Sequence, residues 1–344
     1  MTDVAGSYAI GGLDPELVFT LVAAKDGYLA AFISKVDPAA GPSPTANLKP
    51  VPAVSDPAQV VRAKIVDTRG NPVANAVIQP ELVEYKMANG QIMLSTPIAW
   101  INEITVTNEQ GEFEVTSDKP AIEMTLRVSA PAMAPKHFNA PTGSERQTTV
   151  VTEGATVRGR LIYDGKGVAD AEVGLVPTDS TMGRWYPEVR IGTAKDGSFA
   201  IANVPPARIW LVRPTIDSLA SRGIGAGARL CETRRDGEEI NLGDIQLTRA
   251  HTLRGQIVLG DGKSIPAGMR VTISADRTQD AQVADLGPDG KFRFDGIPDG
   301  IYSVAPAVKG YRLYNRCISA ACAADEVLIQ KDVNDYVIRM VPTN

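Results

Sequence analysis

The chain has 344 residues, 44% of them apolar and 22% charged, with a formal charge of −5 at neutral pH. That length suits two or three domains, and the composition is globular rather than disordered. The mildly acidic balance argues against nucleic acid and against anionic lipid as partners. No apolar run is long enough to span a bilayer, and two histidines leave little for His-based catalysis or a His-rich metal site.

Met1 is followed by neither a basic patch nor an apolar stretch, so the N-terminus does not read as a secretory signal. It reads instead as the later part of a repeat. Thr2-Asp-Val-Ala-Gly6-Ser-Tyr8-Ala-Ile10 matches Thr107 to Val115 around Gly111 and Phe113, Thr193 to Ile201 around Gly197 and Phe199, and Leu286 to Phe294 around Gly290 and Phe292. In each copy Gly closes a tight turn, and the aromatic two residues later points inward. A Pro corner and an aromatic strand follow: Pro15 and Phe19, Pro205 and Trp210, Pro298 and Tyr302, with Met124 in the looser copy. Residues 1–36 are therefore expected to be the C-terminal half of a sandwich whose first strands precede Met1, making this a piece of a longer exported protein. Residues 37–58, with Pro38, Pro42, Pro44, Pro50, Pro52 and Pro57, read as a semi-rigid linker.

The first strands recur as Val61-Arg-Ala-Lys-Ile-Val-Asp, Val157-Arg-Gly-Arg-Leu-Ile-Tyr and Leu253-Arg-Gly-Gln-Ile-Val-Leu, a constant period of 96 residues. Apolar and polar residues alternate in all three, the mark of a strand with one buried face. A Gly-containing turn and a second apolar strand follow each. In the first copy Asn89-Gly90 joins 85–88 to 91–94 as a hairpin. In the second a short helix is expected near 218–222, and Gly223-Ile-Gly225-Ala-Gly227 reads as a flexible loop, since no Lys-Ser/Thr or βαβ setting makes it a phosphate loop. The units 59–153, 154–249 and 250–344 each hold about six or seven short strands, as an all-β, antiparallel two-sheet sandwich requires. Links of a few residues predict that neighbouring sandwiches stack as a stiff rod.

The order of first strand, Gly-Lys-x-Val-x-x-Ala, strand, Thr-x-x-x-Gly-x-Phe, Pro corner, aromatic strand and Lys-Gly-Tyr resembles the carboxypeptidase regulatory-like domain. The third unit matches best, through Asp289-Gly290-Lys291-Phe292, Gly296 to Tyr302 and Lys309-Gly310-Tyr311; the second lacks the Gly-Tyr ending and the first the Gly-x-Tyr corner. The resemblance implies tandem Ig-like or transthyretin-like sandwiches, related to the B-type repeats of bacterial collagen adhesins. It also implies non-catalytic modules of exported proteins or peptidases. Some adhesin repeats carry Lys–Asn isopeptide staples. Here Lys64 faces a last strand (147–152) without Asn, and Asn241 faces a first strand (157–162) without Lys, so no such bond is expected.

Candidate chemistry is sparse. His137 and His251 lack carboxylates at metal-ligand spacing and read as surface or inter-domain residues. Asp285, Asp289 and Asp295 surround a turn without the spacing of a calcium loop. No strained Gly-x-Ser-x-Gly elbow appears, and nothing selects a carboxylate pair. No catalytic residue, metal or cofactor is therefore assigned. Trp210 aligns with core aromatics. Trp185 and Tyr186 instead share a loop with Arg184, where flat rings suit a sugar or peptide ligand or packing on a neighbouring sandwich. Cys317 and Cys322 are close enough to bridge, or are two small side chains in an Ala-rich turn; Cys231 is left over.

The expectation is an extracellular, cell-surface or periplasmic structural segment. Its partners would be other domains of the parent protein, a surface glycan or protein, or a second copy paired through the N-terminal half repeat. The alternatives are a glycan- or peptide-binding module, and accessory domains of a peptidase whose catalytic part lies elsewhere.

Overall fold

The computed structural model describes residues 3–11, 13, 19–25, 27–39, 44–50, 54–87, 89–95, 104–178, 189–275, 278, 280–314 and 325–343. Their regular secondary structure is nearly all strand, with one short α-helix, Ile216–Ala220, and one 3-10 turn, Pro57–Gln59. No helix among them is long and apolar enough to cross a membrane. They form two compact units, one up to Glu153 and one from Gly154 onward.

In the first unit, Val60–Val66 buries alternate residues and lies between Glu112–Thr116 and Arg146–Val150. The facing sheet runs in the order Lys136–Pro141, Glu123–Ser129, Val77–Lys86, Ile92–Ser95. Val61, Ile65, Ile78, Phe113, Met124 and Leu126 fill the space between the two sheets. The N-terminal residues add Phe19–Ala23 paired with Ala31–Val36, and Tyr28–Leu29 paired with Lys49–Pro50. Part of the Pro-rich segment is thus sheet, and the Tyr8 hydroxyl donates to the Pro44 carbonyl at 2.6 Å.

The second unit repeats this plan twice. Ala155–Tyr163 lies between Ser198–Val204 and Glu239–Gln246. Against it stand Val189–Gly192, Glu172–Pro177, Arg208–Pro214 and Arg229–Thr233, in that order. His251–Leu259 lies between Lys291–Ile297 and Val333–Pro342, facing Ala281–Asp285, Arg270–Ala275, Gly300–Ala307 and Asp325–Ile329. One detail departs from the antiparallel expectation. In all three sandwiches the last strand runs parallel to the first, because it crosses over from the facing sheet to the free side of the first strand.

The turn glycines explain why the copies agree. Gly111, Gly197 and Gly290 have φ of +76°, +82° and +71°, a region open to Gly at little cost. Their carbonyls accept the N–H of Ile65, Leu161 and Ile257 at 2.8, 2.9 and 2.9 Å, and a Cβ on any of them would collide with the carbonyl oxygen of that same residue. Gly6 forms the same turn (φ +80°), but a Cβ there would meet nothing within 4 Å.

The aromatic two residues on is buried in each full copy (Phe113, Phe199, Phe292) and lies opposite Ala63, Gly159 and Gly255. A Cβ on Gly159 would sit 2.6 Å from Phe199 Cζ, and one on Gly255 would meet both Phe292 Cζ and the Tyr336 carbonyl. Beside these two glycines the last strand shifts register, whereas beside Ala63 it does not. The missing Cβ admits a ring on one side and a bulged strand on the other.

Three local expectations are corrected. The hairpin closes between Met87 and Gln91, with the Gly90 N–H donating to the Met87 carbonyl at 2.9 Å, so its loop is longer than the Asn-Gly pair alone. The helix starts at Ile216, directly after the strand that ends at Pro214. Gly223 to Gly227 is not a free loop: Ile224–Gly225 pairs with Thr248–Arg249, and the Ala250 N–H donates to the Gly223 carbonyl at 2.9 Å.

These contacts separate two glycines of equal backbone strain. Gly165→Ala, at φ +73° in open space, should cost about 1 kcal/mol. Gly290→Ala adds the collision with Ile257 and should cost about 3 kcal/mol. Equal losses in denaturant unfolding would contradict the role given to the first-strand contact.

Candidate functional site

Arg184, Trp185 and Tyr186, weighed as ligand contacts or as packing on a neighbouring sandwich, and Cys317 and Cys322, weighed as a bridge or as two small turn residues, lie outside the described residues. Trp210 is buried, its indole N–H donating to Thr233 Oγ1 at 3.1 Å. His137 is not a surface residue: its ring is 1% exposed, with Nε2 2.7 Å from Glu81 Oε2, while Arg127 Nε holds the other Glu81 oxygen at 2.8 Å. His251 Nε2 lies 2.8 Å from Asp299 Oδ1. Asp285, Asp289 and Asp295 do not converge; they pair with Arg270, Lys291 and Arg293. Among the described residues no group of three or more His, Cys, Asp or Glu side chains could hold a metal.

Two shallow clefts, of about 670 and 720 Å³, open at equivalent places beside Gly255 and Gly159. Their cations already have partners. Arg158 meets Glu239 at 3.4 Å, Arg160 meets Asp244 at 3.2 Å, Lys291 meets Asp289 at 3.2 Å and Arg293 meets Asp295 at 2.8 Å. Arg254 donates to the Asn334 amide oxygen at 3.4 Å.

The most built feature of the second unit is the joint between its two sandwiches. Arg208–Pro214 turns Trp210 and Val212 into its own core, which by strand alternation sends Arg213 to the outer face. There the third sandwich buries it. Arg213 Nη1 lies 2.5 Å from Asp280 Oδ2, with side chains 2% and 7% exposed. Arg213 Nε donates to the Thr278 carbonyl at 3.2 Å, and the Ile216 N–H donates to the same Asp280 oxygen at 3.0 Å.

Pro214 then ends the strand and the helix begins. One turn apart, Ile216 enters the core of the third sandwich and Leu219 the core of the second. The joint is packed closely: a Cβ on Gly296 (φ +73°) would run into the Ala220 backbone of the helix, and one on Gly225 would sit 2.6 Å from Pro298 Cγ. Tyr302 donates its hydroxyl to the Pro298 carbonyl at 2.9 Å.

Burial pushes the Asp280 carboxyl above the usual carboxylate range, against the pull of Arg213. A raised folded pKa favours the folded chain at pH below the ordinary carboxylate value, and that contribution is lost as pH rises through the raised one. Ionising Asp280 is therefore a net cost to the fold. Burial, with a smaller contribution from Glu238, likewise pushes the Cys231 thiol up to about 11.

Sequence reasoning missed this joint. Its one signal was a charge, Arg213, closing the apolar run Ile-Trp-Leu-Val directly before a proline.

No family model matches the chain, and no curated protein does. Among solved structures it is similar to the Bacillus anthracis TIE protein, at 14% identity and a TM-score of 0.24, over 94% of this chain and 58% of that one. The chain thus spans little more than half of that protein. It is also similar to GBS52, the minor pilin of Streptococcus agalactiae, at 14% identity and a TM-score of 0.27, over 55% of this chain and 97% of that one. A streptococcal ancillary pilin matches at 13% identity and a TM-score of 0.26, over 83% and 99%. At such scores none of the three bears on what this chain does.

Ile216→Ala and Leu219→Ala should each cost about 2–5 kcal/mol. Both should lower the same calorimetric transition, since one helix serves two cores; separate transitions would count against a shared joint. Cys231, with about one thiol in a thousand ionised at pH 8, should resist alkylation in the folded chain. Rapid labelling of its peptide, read by mass spectrometry, would show the site to be open.

Proposed function

We propose that this chain is a non-catalytic structural and interaction segment of a larger bacterial surface or exported protein, built from carboxypeptidase regulatory-like, transthyretin-like modules. The modules are 59–153, 154–249 and 250–344, preceded by a half repeat at 1–36 and a Pro-rich connector at 37–58. The observation that carries the reading is the joint in the second unit. There the chain places a buried ion pair, a two-core helix and two clamping glycines where a flexible connection would need none of them. The cations lining both clefts, each turned to a neighbouring carboxylate or amide, fit the same view. Its partners are other domains of the parent protein and a surface glycan or protein. Self-association through the half repeat is favoured by the Gly6 turn, which carries the repeat's backbone geometry with no strand against it among the described residues.

Two measurements test this. A membrane-impermeant biotin reagent should label the protein on intact cells. Replacing residues 154–344 with an unrelated, rigidly joined pair of sandwiches should preserve display of the parent protein. Labelling only after lysis would contradict the reading, and saturable glycan or peptide binding that disappears with Trp185→Ala would make ligand binding, rather than spacing, the main role.

A further inference from the structure

We infer that the Arg213–Asp280 pair sets the angle between the second and third sandwiches and is not what holds them together. The inference rests on the proposed structural role of the joint and goes beyond it, by dividing cohesion from orientation.

Cohesion has other sources. Ile216 and Leu219 bury apolar surface in two cores, Ala220 packs on Gly296, and Pro298 packs on Gly225. Burial of this kind is non-directional, so it holds the sandwiches in contact without selecting one geometry. The ion pair has the opposite character. Two charges brought out of water regain at best most of their desolvation cost from each other, and apolar pairs of similar volume are often as stable or more so. The raised pKa of Asp280 points the same way.

What the pair does supply is direction. The planar guanidinium presents Nη1 to the Asp280 carboxylate and Nε to the Thr278 carbonyl, and that carboxylate also takes the Ile216 N–H. These contacts join the end of Arg208–Pro214 and the start of the helix, both on the second sandwich, to one loop of the third. A fork of fixed geometry satisfied at both prongs tolerates little rotation.

The experiment uses the full chain, with Cys231, Cys317 and Cys322 replaced by Ala. Nitroxide labels are placed at Lys195→Cys and Lys309→Cys, exposed positions on the two sandwiches. Distances are read by electron–electron double resonance beside thermal melts. Arg213→Met alone, which strands a buried carboxylate, should lower the melting temperature by about 10 °C. Arg213→Met with Asp280→Leu should melt within about 3 °C of the parent while its distance distribution widens at least about twofold. A double variant with the parent's narrow distribution would overturn the inference, as would one that melts as low as the single variant. A broad distribution already present in the parent would overturn both this inference and the rigid-joint reading beneath it.

Discussion

A glycine pressed against the carbonyl of the first strand sets the frame on which every full sandwich in this chain is built. Positive φ and the absence of a Cβ are both required there, since the strand after the turn must lie close enough for its carbonyl to accept the N–H of Ile65, Leu161 or Ile257. Once that contact forms, register is fixed, and the phenylalanine two residues on can only point between the sheets. Its ring then occupies the inner face of Ala63, Gly159 or Gly255. Because a slip of one residue would send the whole apolar set to the solvent face, this small steric fact governs burial along both edges of the turn.

The parts of the fold legible in the sequence are those that depend on neighbours along the chain. Alternation in the first strands, the Gly-x-Phe turns, and the alignment of Trp210 with Tyr302, both buried, are local patterns, and each reads directly. What was not legible depends on contacts far apart in sequence. Parallel pairing of last and first strands leaves no trace in either segment, because a strand alternates in the same way whichever direction its neighbour runs. Arg213 resembles any outward strand residue until a second sandwich covers it. His137 likewise looks like a surface histidine, and only the sheet around Glu81 and Arg127 buries its ring. Gly223 to Gly227 reads as loose because glycine signals freedom and close approach alike, and here the approach of Pro298 decides.

The same two-fold meaning of glycine shapes the clefts. Where the first strand carries Gly159 or Gly255 the last strand bulges and a hollow opens; where it carries Ala63 the ladder runs straight. The hollows thus follow from backbone packing, and their side chains behave accordingly, each cation turned to a neighbouring carboxylate or amide.

The five-residue helix has a consequence for how such proteins can be cut and shuffled. By repeat, Ile216 belongs to the second module, yet its side chain fills the interior of the third. A gene fragment ending at residue 249 would therefore leave an oily plug hanging in solvent, and one starting at 250 would inherit an empty socket. Ile216 thus ties the two modules across the boundary that sequence periodicity draws, and recombination that keeps its burial carries the two as a pair.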